Sequence, residues 1–147
     1  MTSFAVRLQQ IVGKTNRNLD EVVRDVIEDI ATKLVERSPV GDPALWQHPA
    51  PKGYEPGTFR GNWQLGIGSI PSGETGQIDP TGVGTLFSIV AAIGEHPAGT
   101  IAYICNNVPY ARAIEDGHST QAPTGLVGLT AIEFQQIVNE RVSELAA

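Results

Sequence analysis

The sequence predicts an α+β fold: a small antiparallel sheet packed by an N-terminal and a C-terminal helix, with long Pro/Gly-rich loops. Three observations carry this. Leu19, Val23, Val26, Ile27, Ile30, Ala31, Leu34 and Val35 recur at helical spacing. Two stretches far apart, Phe59 to Ile70 and Thr100 to Asn106, read as strands. The chain also holds 16 glycines and 10 prolines in 147 residues, which implies long irregular connections. This length favours one domain, 1–147, able to bury a sizeable core without staples.

The elements follow in order. Phe4 to Val12 is a short amphipathic helix expected to stop at Gly13. The main helix starts at Asn18, a good N-cap, with Glu21 three residues on in a capping-box pattern. Asp20, Glu21, Arg24, Asp25, Glu28, Asp29 and Lys33 fill its polar face, and Ser38-Pro39 ends it. Together these N-terminal helices span 4–38. Residues 39–58 contain so many prolines and glycines that no regular element is expected. A loop this long inside a compact domain is usually functional or disordered. Trp46, His48 and Tyr54 lie in it, and either dock on a partner or fold back onto the domain.

The sheet and short helices occupy 59–123. The strand Phe59 to Ile70 puts Trp63, Leu65 and Ile67 on one face. Residues 71–76 turn. Val83, Leu86, Phe87, Val90, Ala91 and Ile93 then favour a helix ending at Gly94, although the same composition suits a strand. Pro109 to Asp116 reads as a short helix, with Pro near its first turn and Gly117 past its end. A C-terminal helix of about 127–145 carries Phe134, Ile137, Val138, Arg141, Val142 and Leu145 on one side. Thr130 and Glu133 form a capping box for it.

Composition narrows the function classes. The net charge is −6 at pH 7. A duplex-DNA binder normally carries a basic face. Here the ten basic residues are scattered, mostly near acidic ones. That argues against tight nucleic-acid binding and suits a surface that DNA passes without sticking, and equally an ordinary soluble cytoplasmic protein. Charged residues make up only 18%, as suits a protein that hides surface in an assembly. The lone Cys105 allows no disulfide framework within one chain and reads as a small buried hydrophobe in a strand. No apolar run approaches bilayer-spanning length, so neither signal peptide nor membrane anchor is expected.

Catalytic templates fit poorly. His48, His96 and His118 show no metal-ligand spacing, and His96 and His118 sit beside turn residues, where solvation is expected. Cys105 and His118 make a nucleophile pair only if the fold joins them. Glu115 and Asp116 are neighbours on a helix and point apart, so they suit a helix end better than acid/base work. Gly66-Ile67-Gly68 and Gly82-Val83-Gly84 lack the Lys-Ser/Thr of a phosphate loop. No catalytic, cofactor or metal residue is expected.

The segment Asn106-Asn107-Val108-Pro109-Tyr110 reads as a corner. Two asparagines satisfy nearby backbone groups, and Pro109 starts the next turn. Arg112 and the loop His118-Ser119-Thr120-Gln121 lie beyond it with no evident core role, and they are the better interface candidates.

Two motifs carry a family resemblance. One is Gly57-Thr58-Phe59-Arg60-Gly61-Asn62-Trp63. The other runs from Tyr103-Ile104-Cys105-Asn106-Asn107-Val108-Pro109-Tyr110-Ala111-Arg112 through Ala113-Ile114-Glu115-Asp116-Gly117-His118-Ser119-Thr120-Gln121-Ala122-Pro123, with Thr124-Gly125-Leu126-Val127 following. In kind, order and spacing, over roughly residues 20 to 138, these resemble the neck and tail-completion proteins of long-tailed bacteriophages. Asp116 and Cys105 depart from that pattern, which more often has an aromatic or neutral residue and Thr or Ser there. The resemblance implies a non-catalytic structural virion protein that forms a ring at the head-proximal end of the tail. It implies copies of itself as partners, in a hexameric ring with twelvefold symmetry left open. Head-closure or connector proteins and tail-terminator or tail-tube proteins would flank it. Phage DNA would pass nearby without specific binding, and no membrane would be involved. The expected location is the virion neck or tail, and the host cytoplasm during assembly. The expected interface residues are Trp46, Tyr54, Arg60, Tyr110, Arg112, His118 and Gln121. A small cytoplasmic hydrolase using Cys105 and His118, or a monomeric adaptor, are the alternatives.

Overall fold

A computed structural model of the protein describes residues 4–41, 55–94, 96 and 99–146, with side chains described from Leu19 to Glu144. The elements are α1 (Phe4–Arg37), α2 (Thr58–Gly61), β1 (Trp63–Ile67), α3 (Val83–Ile93), β2 (Ala102–Asn106), α4 (Ala111–Glu115), α5 (Val127–Ile132) and α6 (Phe134–Ala146). The α+β architecture and the antiparallel sheet are as expected. Among the described residues the sheet has two strands. Residues 42–54 of the breaker-rich loop, with Trp46, His48 and Tyr54, lie outside the described residues.

Helix α1 corrects the expected break at Gly13. It runs unbroken for 34 residues, so Asn18 lies inside it and is not its first residue. One interior glycine costs only about 1 kcal/mol against Ala, and no proline interrupts the hydrogen-bond ladder. The stop at Ser38 holds. The Ser38 hydroxyl donates to the Leu34 carbonyl at 2.6 Å and accepts from Trp63 Nε1 at 2.7 Å. The helix end is thus tied to the first residue of β1.

The strand expected from Phe59 begins later, at Trp63. Gly57, in left-handed conformation at φ 96°, starts a helical turn instead. Gly61 N–H donates to the Gly57 carbonyl at 2.9 Å. A side chain at Gly57 would lie 2.7 Å from Pro80, so a second reason for glycine operates there. Phe59 and Trp63, four residues apart, are both buried, with ring centroids 5.7 Å apart in an edge-to-face pair.

In the sheet, Trp63 faces Asn106, Leu65 faces Ile104 and Ile67 faces Ala102. Leu65, Ala102 and Ile104 pack against the main core. The alternate residues face the loop that follows β1. Gln64 Nε2 donates to the Gly73 carbonyl, and Asn107 Nδ2 reaches the carbonyls of Pro71 and Gly73.

Helix α1 is the axis of the molecule. Ile27, Ala31, Leu34 and Val35 belong to the core shared with α3 and the sheet, while Val22 and Val26 pack with Ile137 of α6. At 3.6 residues per turn, the Ala31–Val35 side and the Val22–Val26 side lie on nearly opposite flanks, with Ile30 between. So α3 and α6 flank α1, and the sheet lies over it. Leu19, expected in the apolar face, is 48% exposed.

Two further expectations change. Helix α3 exists and ends at Gly94, but it buries Thr85, Ile89 and Ile93 and turns Val83 and Phe87 outward. Thr130 and Glu133 form no capping box, because the C-terminal helix is split. Thr130 sits inside α5, where its hydroxyl donates to the Leu126 carbonyl and accepts from Arg37. Glu133 stands between α5 and α6 and pairs with Arg37 at 2.7 Å and Lys33 at 3.1 Å. Glu133 spends its carboxylate on α1, and the Thr130 hydroxyl is shared between the Leu126 carbonyl and Arg37, so neither is left to cap α6.

Candidate interface at the strand-to-helix corner

Residues 106–128 form a corner whose polar groups are largely spent on its own backbone. Asn106 Nδ2 donates to the Phe59 carbonyl at 2.8 Å, and Asn106 Oδ1 accepts from Val108 N–H at 3.3 Å. The asparagine therefore ties β2 to α2 and bends the chain after the strand. Val108 and Ile114 fill the underside of the corner at 4% and 0% exposure. Tyr110 is half-buried, its ring 6.5 Å from that of Phe59. Helix α4 ends as expected, with Gly117 at φ 87°.

Glu115 has a role that its adjacency to Asp116 did not signal. Its carboxylate accepts three backbone N–H bonds, from Leu126 at 3.0 Å, Val127 at 2.9 Å and Gly128 at 2.9 Å. These are orphan donors at the start of α5. Burial opposes ionisation of this carboxyl, but the three N–H donors outweigh it and hold its pKa below the ordinary value. Asp79 does the same for α3. It is 8% exposed and accepts from the N–H of Gly82 and from both the N–H and hydroxyl of Thr85. Burial again opposes the charge, and the Thr85, Gly82 and Thr81 donors again win, lowering its pKa. An acidic residue four positions ahead of an apolar run is a signal that was available at Asp79. None was available at Glu115, whose partners lie eleven or more residues on.

The expected interface residues divide. Arg60 is an internal clamp. Its guanidinium donates to the carbonyls of Pro80 (2.7 Å), Glu36 (3.1 Å) and Ser38 (2.8 Å), joining the end of α1 to the approach to α3. Burial lowers its pKa, against the pull of Asp79 and Glu36. Gln121 is exposed, yet its Oε1 accepts from Val40 N–H at 2.8 Å, which anchors the start of the breaker-rich loop. His118 is half-buried. Arg112 is exposed and is the one basic side chain without an ion pair or hydrogen bond among the described side chains. It lies on a cleft of about 550 Å³, shared with Trp63, Cys105, Asn106 and Glu115. The structure thus places Tyr110, Arg112, His118 and Gln121 within the 106–128 segment, with Arg112 and Gln121 on different clefts, keeps Arg60 for the fold, and leaves Trp46 and Tyr54 outside the described residues.

Cys105 is half-buried, with Sγ 3.9 Å from the Pro71 carbonyl. Burial raises its pKa, against a hydrogen bond from Asn107, so the thiol form is favoured over the nucleophilic thiolate. His96, expected to be solvated, is 2% exposed. Its backbone closes the end of α3 through a bond to the Ile93 carbonyl, and its own carbonyl accepts from Arg24 Nε at 3.1 Å. No group of three or more His, Cys, Asp or Glu suited to a metal ion occurs among the described residues. No described helix is long and apolar enough to cross a membrane.

Comparison with protein-family models, with curated proteins and with solved structures finds no match for this chain.

Proposed function

We propose that the chain is a structural virion protein of the head-to-tail joint, a neck or tail-completion component that assembles with copies of itself into a ring. The ring is most simply hexameric, at the head-proximal end of the tail, with connector or head-closure proteins on one side and tail-terminator or tail-tube proteins on the other. One observation carries this reading beyond the sequence resemblance. Asn106, Asn107 and Glu115 of the corner are consumed in holding backbone, while large apolar side chains stand outside elsewhere on the chain. Phe87 is 75% exposed, Ile132 81%, Val83 70% and Ile70 64%. Apolar exposure on this scale suits a subunit whose surface is covered by neighbours. It weighs against a monomeric adaptor. The raised thiol pKa of Cys105 weighs against the hydrolase reading.

The test is assembly. Trp46→Ala and Arg112→Ala, made separately, should leave folded subunits but give tails that fail to join heads. Electron microscopy of particles and the near-ultraviolet spectrum of the purified chain read the two outcomes. Normal joining in both mutants would place the essential contacts elsewhere.

A further inference from the structure

We infer that neighbouring copies join by seating the outer face of α3 of one copy in an apolar groove between α1, β2 and α5–α6 of the next. The inference rests on the ring reading above and adds the contact that builds the ring. Helix α3 spans eleven residues, none of them charged. Its outward stripe is Val83, Phe87 and Ala91 at four-residue spacing, with Val90 on the shoulder. Val83, Phe87 and Val90 are 70%, 75% and 42% exposed. The ridge is continued by Ile78, 52% exposed in the segment leading into the helix.

The groove is the second apolar surface. It consists of two adjoining hollows of about 390 and 430 Å³, which share Ile30, Ala102, Ile104 and Phe134. Neither hollow is lined by Asp, Glu, Lys or Arg, one of them includes His96, and neither draws a residue from α3 or β1. A second copy is the occupant that the page favours, for two reasons. The chain carries net charge −6, so two copies repel each other except where uncharged surfaces meet. Ridge and groove are two such surfaces. Second, α3 and α6 flank α1 on nearly opposite sides, so the ridge and the groove face different neighbours. One repeated contact then covers both patches on every copy. A contact between unlike patches is heterologous, and it closes into a ring when the rotation permits.

The experiment uses the full chain and two variants at exposed positions, Phe87→Glu on the ridge and Phe134→Glu, 47% exposed, in the groove. Circular dichroism establishes that both fold. Sedimentation velocity should show wild-type oligomers and monomers for each variant alone. Mixing the variants should restore dimers and nothing larger, since Phe87→Glu keeps a sound groove and Phe134→Glu keeps a sound ridge. Wild-type size in either variant, a mixture that stays monomeric, or a wild-type chain monomeric to its solubility limit would overturn the contact. Should Phe134→Glu alone block tail joining while Phe87→Glu does not, the groove serves a different protein and the inference fails. The ring reading is judged separately: necks that carry this chain as a ring and still join heads to tails with Phe87→Glu would keep that reading and reject this contact.

Discussion

At the scale of single residues, two carboxylates, Asp79 buried and Glu115 half-buried, hold the helix starts. Asp79 and Glu115 each accept at least three hydrogen bonds, with backbone N–H groups among the donors. Both pKa values are depressed in the folded chain. A carboxyl of depressed folded pKa contributes stability that is present above its unfolded pKa and lost as pH falls through the folded value. Stability measured by urea titration should therefore be level near neutrality and fall below about pH 4–5. Glu115→Gln should cost about 1–3 kcal/mol at pH 7, because a neutral amide oxygen replaces a carboxylate that takes three N–H bonds. Its deficit should shrink toward acid, as the wild-type carboxyl protonates. An equal deficit at pH 3 and pH 7 would remove the charge from the account. The sequence showed Glu115 as a helix-end residue and no more. Its partners at 126–128 meet it only after the chain turns at Gly117, and no local pattern encodes that return. The corner itself was legible, because Asn, Pro and Gly impose turns through their own backbone preferences.

At the scale of elements, periodicity found the segments but not always which way they face. Helix α1 kept its apolar side from Val22 to Val35, because a long amphipathic stripe against a core has one stable orientation. Helix α3 is apolar nearly all round, so its sequence names no inner face. The partners decide: Thr85 reaches Asp79, and Ile89 and Ile93 meet α1 and the sheet. Two substitutions test this orientation. Ile89, 1% exposed, changed to Ala should cost about 2–5 kcal/mol. Phe87→Ala, on the outer face, should change monomer stability by less than about 0.5 kcal/mol. Equal costs would mean that the helix is rotated. The same logic applies to Ile27, 8% exposed on α1. Ile27→Asp forfeits burial worth about 1.5–3 kcal/mol and adds an unpaired buried charge, so it should unfold the domain or come close. The late start of β1 was missed because Phe59 and Trp63 fit a helical turn as well as an alternating strand. Gly57 settles it by starting the turn.

At the scale of the whole molecule, charge decides how the chain meets nucleic acid. The net charge is −6, and most described basic side chains are already engaged. Arg37 and Lys33 pair with Glu133, and Arg141 with Asp29. The Asp29 hydrogen bonds raise the Arg141 pKa, so the arginine holds its charge across the whole working range of pH. Arg24 and Arg60 donate to backbone carbonyls. Among the described side chains only Arg112 remains for a phosphate, and one contact gives neither affinity nor a steep salt dependence, since each neutralised phosphate contributes about one unit to the logarithmic salt slope. A bore built from such subunits would let a genome slide past. The isolated chain should therefore bind duplex DNA more weakly than about 10⁻⁶ M at physiological salt, as read by fluorescence polarisation. If the chain is the proposed joint protein and Arg112 meets a protein neighbour, Arg112→Glu should leave that weak binding almost unchanged while abolishing the joining of heads to tails. Submicromolar binding that falls steeply with salt and vanishes in Arg112→Glu would reverse this assignment and make the corner a DNA contact.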